Sequence, residues 1–488
     1  MLKSSGKQGV PSNTQSWCMA SPGSWFRALF FAILFGSSTV AVAESGNTQN
    51  EATFEQIIAA QQAQIDAQKQ ELAAQKEMIL KLAQQVQQFT GNGHESPVVV
   101  DSDITSDQEI TSPPAIQEQK TESDWPGSFG LFGTKTRLAI DGFVQLDLIH
   151  DWDAIGAPCE FITSTIPTDG GTMVQGASGD TNFCINASRL SLESRTPTRT
   201  GQLKTFISMD LYGDALSTSP DPRIRQAYAE LTGALWGGDL LLGQAWGTYV
   251  DLEAWPNVLD FEGPGSAIAL RQPMVRWSKR TSANTDFQIA LEQAGDGSVD
   301  GADMLTSWPD LVANFKWRFA GDSHLRGAGI LRDIRVSADD GPAESSTGWG
   351  IAGSGKIGLP AHNNFVFELS YGKGVGAYYN DSPPNGVYDP ANSNIMLLPL
   401  FAYYLGLEHD WSETLSSTIL YSALTVDNLN SQPDEAGKKS AYFSLNLIWQ
   451  ATPQQMYGIE FLRGGRRDKG GSEGTDNRIQ MTGHFSLF

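Results

Sequence analysis

From Arg137 to the terminal Phe488 the chain alternates apolar and polar residues in one short segment after another. In Leu138–Leu148 the apolar set is Leu138, Ile140, Val144, Leu146 and Leu148, while Asp141, Gln145 and Asp147 take the other parity. Leu203, Thr205, Ile207, Met209 and Leu211 oppose Gln202, Lys204, Ser208 and Asp210. Phe443, Leu445, Leu447 and Trp449 alternate with Ser444 and Asn446, and Tyr457, Ile459 and Phe461 with Gly458 and Glu460. A period of two predicts strands whose two faces meet different media. In a closed membrane barrel the apolar face meets lipid and the polar face lines water. About 9–11 residues suffice for a tilted crossing.

Sixteen segments carry the pattern, near 137–149, 184–196, 202–212, 223–231, 239–245, 269–278, 285–292, 311–319, 324–336, 347–357, 364–372, 396–409, 415–425, 438–450, 454–464 and 477–488. Their connections sort by length. If the first strand leaves the periplasm, the outer loops include 150–183, 246–268, 293–310 and 373–395, all long. The inner turns include 197–201, 279–284, 320–323 and 451–453, all short. Long outside and short inside is the asymmetry of a membrane barrel.

The first 134 residues follow other rules. Ala28–Phe35 is the one strong helical apolar run, preceded by Arg27, Lys3 and Lys7 and followed by Ala41-Val42-Ala43. This predicts a secretory leader over 1–43, the run being too short to span a bilayer; a retained anchor is the alternative. Over 44–90, Ile58, Ile65, Leu72, Ile79 and Val86 recur every seven residues. Phe54, Gln61, Gln68, Gln75, Leu82 and Phe89 fill the companion position. About five heptads predict a helical coiled coil roughly 50–60 Å long, against a lone amphipathic helix. Residues 91–134 begin as an acidic, Pro-containing linker, with order expected to resume at Trp125-Pro126-Gly127. The barrel domain is then 135–488, and the fold class is an all-β transmembrane antiparallel barrel of about sixteen strands behind an α-helical coiled coil.

Composition changes this picture little. A net charge of −22 argues against nucleic acid as a partner. A mean hydropathy of −0.26 fits a barrel, because half of each strand is polar. Cys18 lies in the leader, which leaves Cys159 and Cys184. An oxidising compartment favours a disulfide between them, two separate buried thiols being the alternative.

Several stretches resemble the DcaP-like outer-membrane porins: Arg189-Leu-Ser-Leu-Glu-Ser-Arg195-Thr-Pro-Thr198, Pro222-Arg-Ile-Arg-Gln-Ala-Tyr-Ala-Glu-Leu231, Leu259-Asp-Phe-Glu-Gly-Pro264 with Leu270-Arg-Gln-Pro273, and Leu331-Arg-Asp-Ile-Arg335. The resemblance runs from the heptads to the C-terminus. It implies a trimeric, sixteen-stranded diffusion channel in the outer membrane that prefers small anionic solutes such as dicarboxylates. A periplasmic coiled coil would steady the trimer or set its distance from the cell wall.

A pore selects by width and by the charge at its narrowest point. The third outer loop, with Asp251, Glu253, Trp255, Asp260 and Glu262, is the expected constriction. Arg189, Arg195, Arg223, Arg225, Arg271 and Arg332 are the candidate lining residues for an anion path, since a guanidinium keeps its charge and grips a carboxylate in a fork. The competing reading pairs each with a wall acid such as Asp141, Asp147, Glu193 or Glu230. Gly350–Ile357 nearly matches a phosphate loop but lacks the following Ser or Thr and lies in a predicted strand. No metal motif or nucleophile elbow is present, so no catalysis, cofactor or metal is expected. Trp255, Trp317, Trp411 and Trp449 fit an interfacial girdle better than a sugar slide. The rival functions are a sugar- or cation-preferring porin using the loop acids, a structural barrel tethering the envelope, and, more distantly, an outer-membrane lipase.

Overall fold

The computed structural model describes residues 125–487 except 170–177, 295–296, 306 and 338–342. The leader, the heptads, the linker through residue 124 and the terminal Phe488 lie outside the described residues.

Sixteen strands close into an antiparallel barrel. They are β1 Arg137–Asp151, β2 Thr181–Cys184 with Arg189–Pro197, β3 Gln202–Asp210, β4 Arg223–Leu235, β5 Gly238–Trp246, β6 Arg271–Ser282, β7 Thr285–Glu292 and β8 Asp310–Phe319. The second half comprises β9 Ser323–Ser337, β10 Glu344–Leu359, β11 Asn363–Lys373, β12 Pro399–Asp410, β13 Leu415–Val426, β14 Gly437–Thr452, β15 Gln455–Asp468 and β16 Glu473–Ser486. Each expected segment maps onto one of them. Closure comes from β1 against β16, running from Phe143↔Ser486 to Asp151↔Arg478. A closed sheet has no free edge, so every strand finds backbone partners on both sides.

The two parities face different media throughout. Val144, Leu146, Leu190, Leu192, Ile351, Leu445 and Leu447 point outward and are exposed. Gln145, Asp147, Ser208, Asn446 and Gln480 point inward and are buried. Trp317, Trp411 and Trp449 also face outward, near the ends of β8, β12 and β14 that lead into short turns. That position suits an interfacial girdle.

The β2 strand is interrupted between Cys184 and Arg189. Both pieces pair with β1, Cys184 opposite Asp147 and Arg189 opposite Phe143. Four residues therefore face three, which is a bulge. The Ser188 hydroxyl fills the gap, accepting from Gln145 N at 3.0 Å. Here the disulfide Cys159–Cys184 ties the first outer loop to the wall.

The turns on one rim are short, as at 198–201, 236–237, 283–284, 320–322, 360–362 and 453–454. Several loops on the other rim turn back into the barrel: L1 (152–180) over its described residues 152–169, L3 (247–270) and L6 (374–398). A three-stranded sheet of Val299–Asp300, Gly386–Asp389 and Asn394–Leu397 sits among these loops and was absent from the sequence reading. Gly350–Ile357 lies inside β10, in no loop-to-helix context.

Candidate functional site: an inward-folded loop and its arginine cavity

L3 crosses the lumen and is held chiefly through its backbone. Wall glutamates accept its amide protons: Glu292 from Thr248 at 2.6 Å, Glu408 from Asn257 at 3.1 Å, Glu460 from Leu259 at 2.8 Å and Asp260 at 2.7 Å, and Glu368 from Ile268 at 2.9 Å. Wall donors reach its carbonyls. Asn314 donates to Thr248 O at 2.8 Å, Asn446 to Asn257 O at 2.8 Å and Tyr404 to Ala254 O at 3.1 Å. A loop taken into a barrel must satisfy its peptide groups there, because an unpaired buried one costs about 1–3 kcal/mol. Sequence reasoning missed these four glutamates. Their only signal was an isolated Glu on the polar parity of a strand.

The loop acids divide by role. Asp251 is fully buried and binds Lys316 Nζ at 3.0 Å, His324 Nε2 at 2.9 Å and Ser354 Oγ at 2.7 Å. Burial alone would raise its carboxyl, but His324, Arg326 and Lys316 outweigh it and hold it below the usual range. Glu253 is half exposed and bridges Lys316 and Arg318, each at 3.0 Å. Asp260 staples L1 to L3. It accepts from Phe161 N at 3.1 Å, from Gly263 N at 3.1 Å and from the Tyr442 hydroxyl at 3.3 Å. Burial pushes it up to about 6, against the nearby Arg478 charge and these hydrogen bonds. Gly263 turns the chain back with φ +74°, a conformation that favours glycine. L6 locks onto the other two loops: Asp381 accepts from Thr163 Oγ1 at 2.6 Å and Ser164 N at 2.9 Å, and its own N–H reaches Gly265 O at 3.0 Å.

Four of the six candidate arginines meet. Arg189, Arg223, Arg225 and Arg271 line one cavity of about 340 Å³, together with Glu160 of L1 and Glu262 of L3. Arg223 forks onto Asp210 at 2.9 and 3.2 Å, and Arg225 binds the same carboxylate. Arg189 and Arg271 form no ion pair among the described residues, and Arg189 Nε and Arg271 Nη1 have no hydrogen-bond partner. Aromatic rings hold these cations in place. Arg271 lies over Trp246 at 4.8 Å, Arg225 over Phe261 at 5.0 Å and Arg189 over Phe143 at 5.3 Å. The carboxylates of Glu160 and Glu262 accept no hydrogen bond among the described residues. Burial pushes Glu160 up to about 7, partly offset by Arg223, and lifts Glu262 well above its ordinary value, helped by Glu160 and Asp381.

The other two arginines sit elsewhere. Arg332 is buried against Asp310 at 2.9 Å and donates to Gly374 O at 2.8 Å and Asn385 Oδ1 at 3.1 Å, anchoring L6. Arg195 pairs with Glu193 at 2.7 Å beneath the Trp125 ring. A second cavity of about 290 Å³ adjoins the first at Trp246 and Leu252, which line both. Its charges are mixed, with Arg276, Lys316 and Arg318 beside Glu253 and Asp286. Among the described residues no cluster of His, Cys, Asp or Glu is set to hold a metal ion.

The fold is similar to that of the outer membrane channel DcaP of Acinetobacter baumannii, with a TM-score of 0.65 and 20% identity over 74% of this chain and all of that one. More distant likenesses include the OmpF porin of Salmonella typhi (TM-score 0.47, 11% identity, 74% of this chain and 100% of that one) and a loop-deleted OmpT of Vibrio cholerae (TM-score 0.46, 10% identity, 72% and 100%). No curated protein matches the sequence. A family model described as DcaP outer membrane protein matches residues 56–487, and the chain belongs to that outer-membrane family.

Proposed function

We propose that this outer-membrane channel passes small anionic solutes such as dicarboxylates, as a homotrimer with its heptads in the periplasm. The observation that carries the reading is the convergence of Arg189, Arg223, Arg225 and Arg271 on one cavity beside L3, two of them with no acid partner among the described residues. Rings of guanidinium are a usual basis of anion preference. Each presents a planar fork to a carboxylate. The ring contacts keep them in place without neutralising them. The loop acids favour this reading over a cation path: Asp251 and Glu253 are engaged by Lys316, Arg318 and His324, and Asp260 is enclosed.

The test is the reversal potential of the purified full chain in a planar bilayer across a potassium chloride gradient. A potential of anionic sign, with current blocked by succinate and conductance lost in three coupled steps, supports the proposal. Cationic sign, or block by a neutral disaccharide alone, overturns it.

A further inference from the structure

We infer that the arginine cavity takes anions that also bear an ammonium group, so that amino dicarboxylates fit it better than plain dicarboxylates. The inference rests on the anion reading and narrows its substrate class.

The cavity holds unmet groups of both kinds. Arg189 and Arg271 donate no hydrogen bond to any described residue through Nε and Nη1 respectively, and neither forms an ion pair among the described residues. On the same cavity, the carboxylates of Glu160 and Glu262 accept none, and Glu262 Oε2 is fully enclosed. A plain dicarboxylate would satisfy the guanidinium groups and leave two carboxylates facing its own. Like charges brought together in an enclosed space are disfavoured. A ligand with an ammonium group meets both sets.

Charge balance points the same way. With Glu160 and Glu262 both ionised, four guanidinium groups face three carboxylates, those of Asp210, Glu160 and Glu262. One positive charge remains, which a ligand with two carboxylates and one ammonium group neutralises. A dianion overshoots it. Burial strains the charged forms of Glu160 and Glu262, and a cation placed between them relieves that strain. The walls fix where the ligand's charges go. Arg271 is held over Trp246 and Arg225 over Phe261, on strands that converge at the loop, while Glu160 and Glu262 approach from L1 and L3. Carboxylates therefore turn to the wall and the ammonium group to the loops.

The experiment compares block of potassium chloride current through the full-length channel by glutamate and by glutarate, which share a carbon skeleton and differ by the amino group. Bare charge favours glutarate, the dianion. The inference predicts that glutamate blocks at about tenfold lower concentration, the worth of one charge-assisted hydrogen bond. It further predicts that Glu262→Gln and Glu160→Gln raise the glutamate concentration needed and lower that of glutarate. Stronger block by glutarate in the unmodified channel overturns the inference and leaves the anion reading standing; this comparison needs no variant to fold. Block by neither, with a cationic reversal potential, overturns both.

Discussion

Asp260 of L3 donates its backbone N–H to the wall carboxylate of Glu460 at 2.7 Å, and that same carboxylate oxygen accepts from Leu259 at 2.8 Å. One side chain thus fixes two successive peptide groups of L3. Glu460 also accepts from the Ser444 hydroxyl. Removing it with Glu460→Ala strands two amide donors in an enclosed site, at roughly 1–3 kcal/mol each. The expected outcome is a barrel that still closes and migrates as folded on a gel, with a raised and noisier single-channel conductance.

The arginines of the cavity should matter for current more than for stability. Arg189 and Arg271 form no ion pair among the described residues, so Arg189→Gln with Arg271→Gln strands no partner acid there. The anion-to-cation permeability ratio is expected to fall several-fold, because Arg and Lys lining a pore are what favour anions in it. The melting point should move little. An unchanged reversal potential would place the selecting charges elsewhere.

Arg332 gives the contrasting case. It binds Asp310, Gly374 O and Asn385, the last two in L6. Breaking a buried ion pair from one side costs about 3–5 kcal/mol. Arg332→Ala is expected to expose L6 to protease on intact cells and to leave the reversal potential near that of the unmodified channel. A large loss of anion preference would contradict this division of labour.

Both Glu160 and Glu262 have carboxyls raised chiefly by burial, Glu160 up to about 7. Around Glu160 stand Arg223 and Arg271, which lower it, and Asp260 and Asp210, which raise it further. Such a group is charged above its folded value and neutral below it. Lowering the pH from 8 to 5.5 therefore removes the negative charge of Glu160 from the cavity. Anion preference in a salt gradient should rise over that interval and return when the pH is restored. The sign for stability follows from the same shift. Glu160 contributes most to loop packing when protonated, and that contribution is lost as pH rises from about 4.5 through about 7.

Cutting the Cys159–Cys184 bond frees the L1 segment that carries Glu160 and Phe161. Cross-links of this loop length stabilise by about 2–4 kcal/mol. Cys159→Ser with Cys184→Ser should keep the barrel closed and weaken the pH response, because Glu160 is no longer held against the arginines.

All sixteen strands were legible because a wall between lipid and water imposes one rule on every residue. Their outer ends were less so. The segments near 454–464 and 477–488 reach outward to Asp468 and from Glu473, where Arg463, Arg467, Glu473 and Asn477 take the outward parity and alternation fades. Parity indicated which arginines face inward, and Arg189, Arg223, Arg225 and Arg271 do share a cavity. It carried no information on height along the barrel or on position around it, which is why Arg195, near the inner end of β2, and Arg332, on the distant strand β9, fell into the same set. The glutamate clamps left no pattern at all. Each is a single residue on its strand, and their common target is a backbone far away in sequence.

That the wall grips L3 mainly by its peptide groups has a consequence for redesign. The path of the loop is written in Glu292, Glu368, Glu408 and Glu460, while the chemistry it displays is written in side chains such as Glu253 and Glu262. Bore and chemistry are separately editable. A library that varies exposed loop side chains and spares those four glutamates should retain one pore diameter across many selectivities, whereas transplanting the loop alone into another barrel should carry neither.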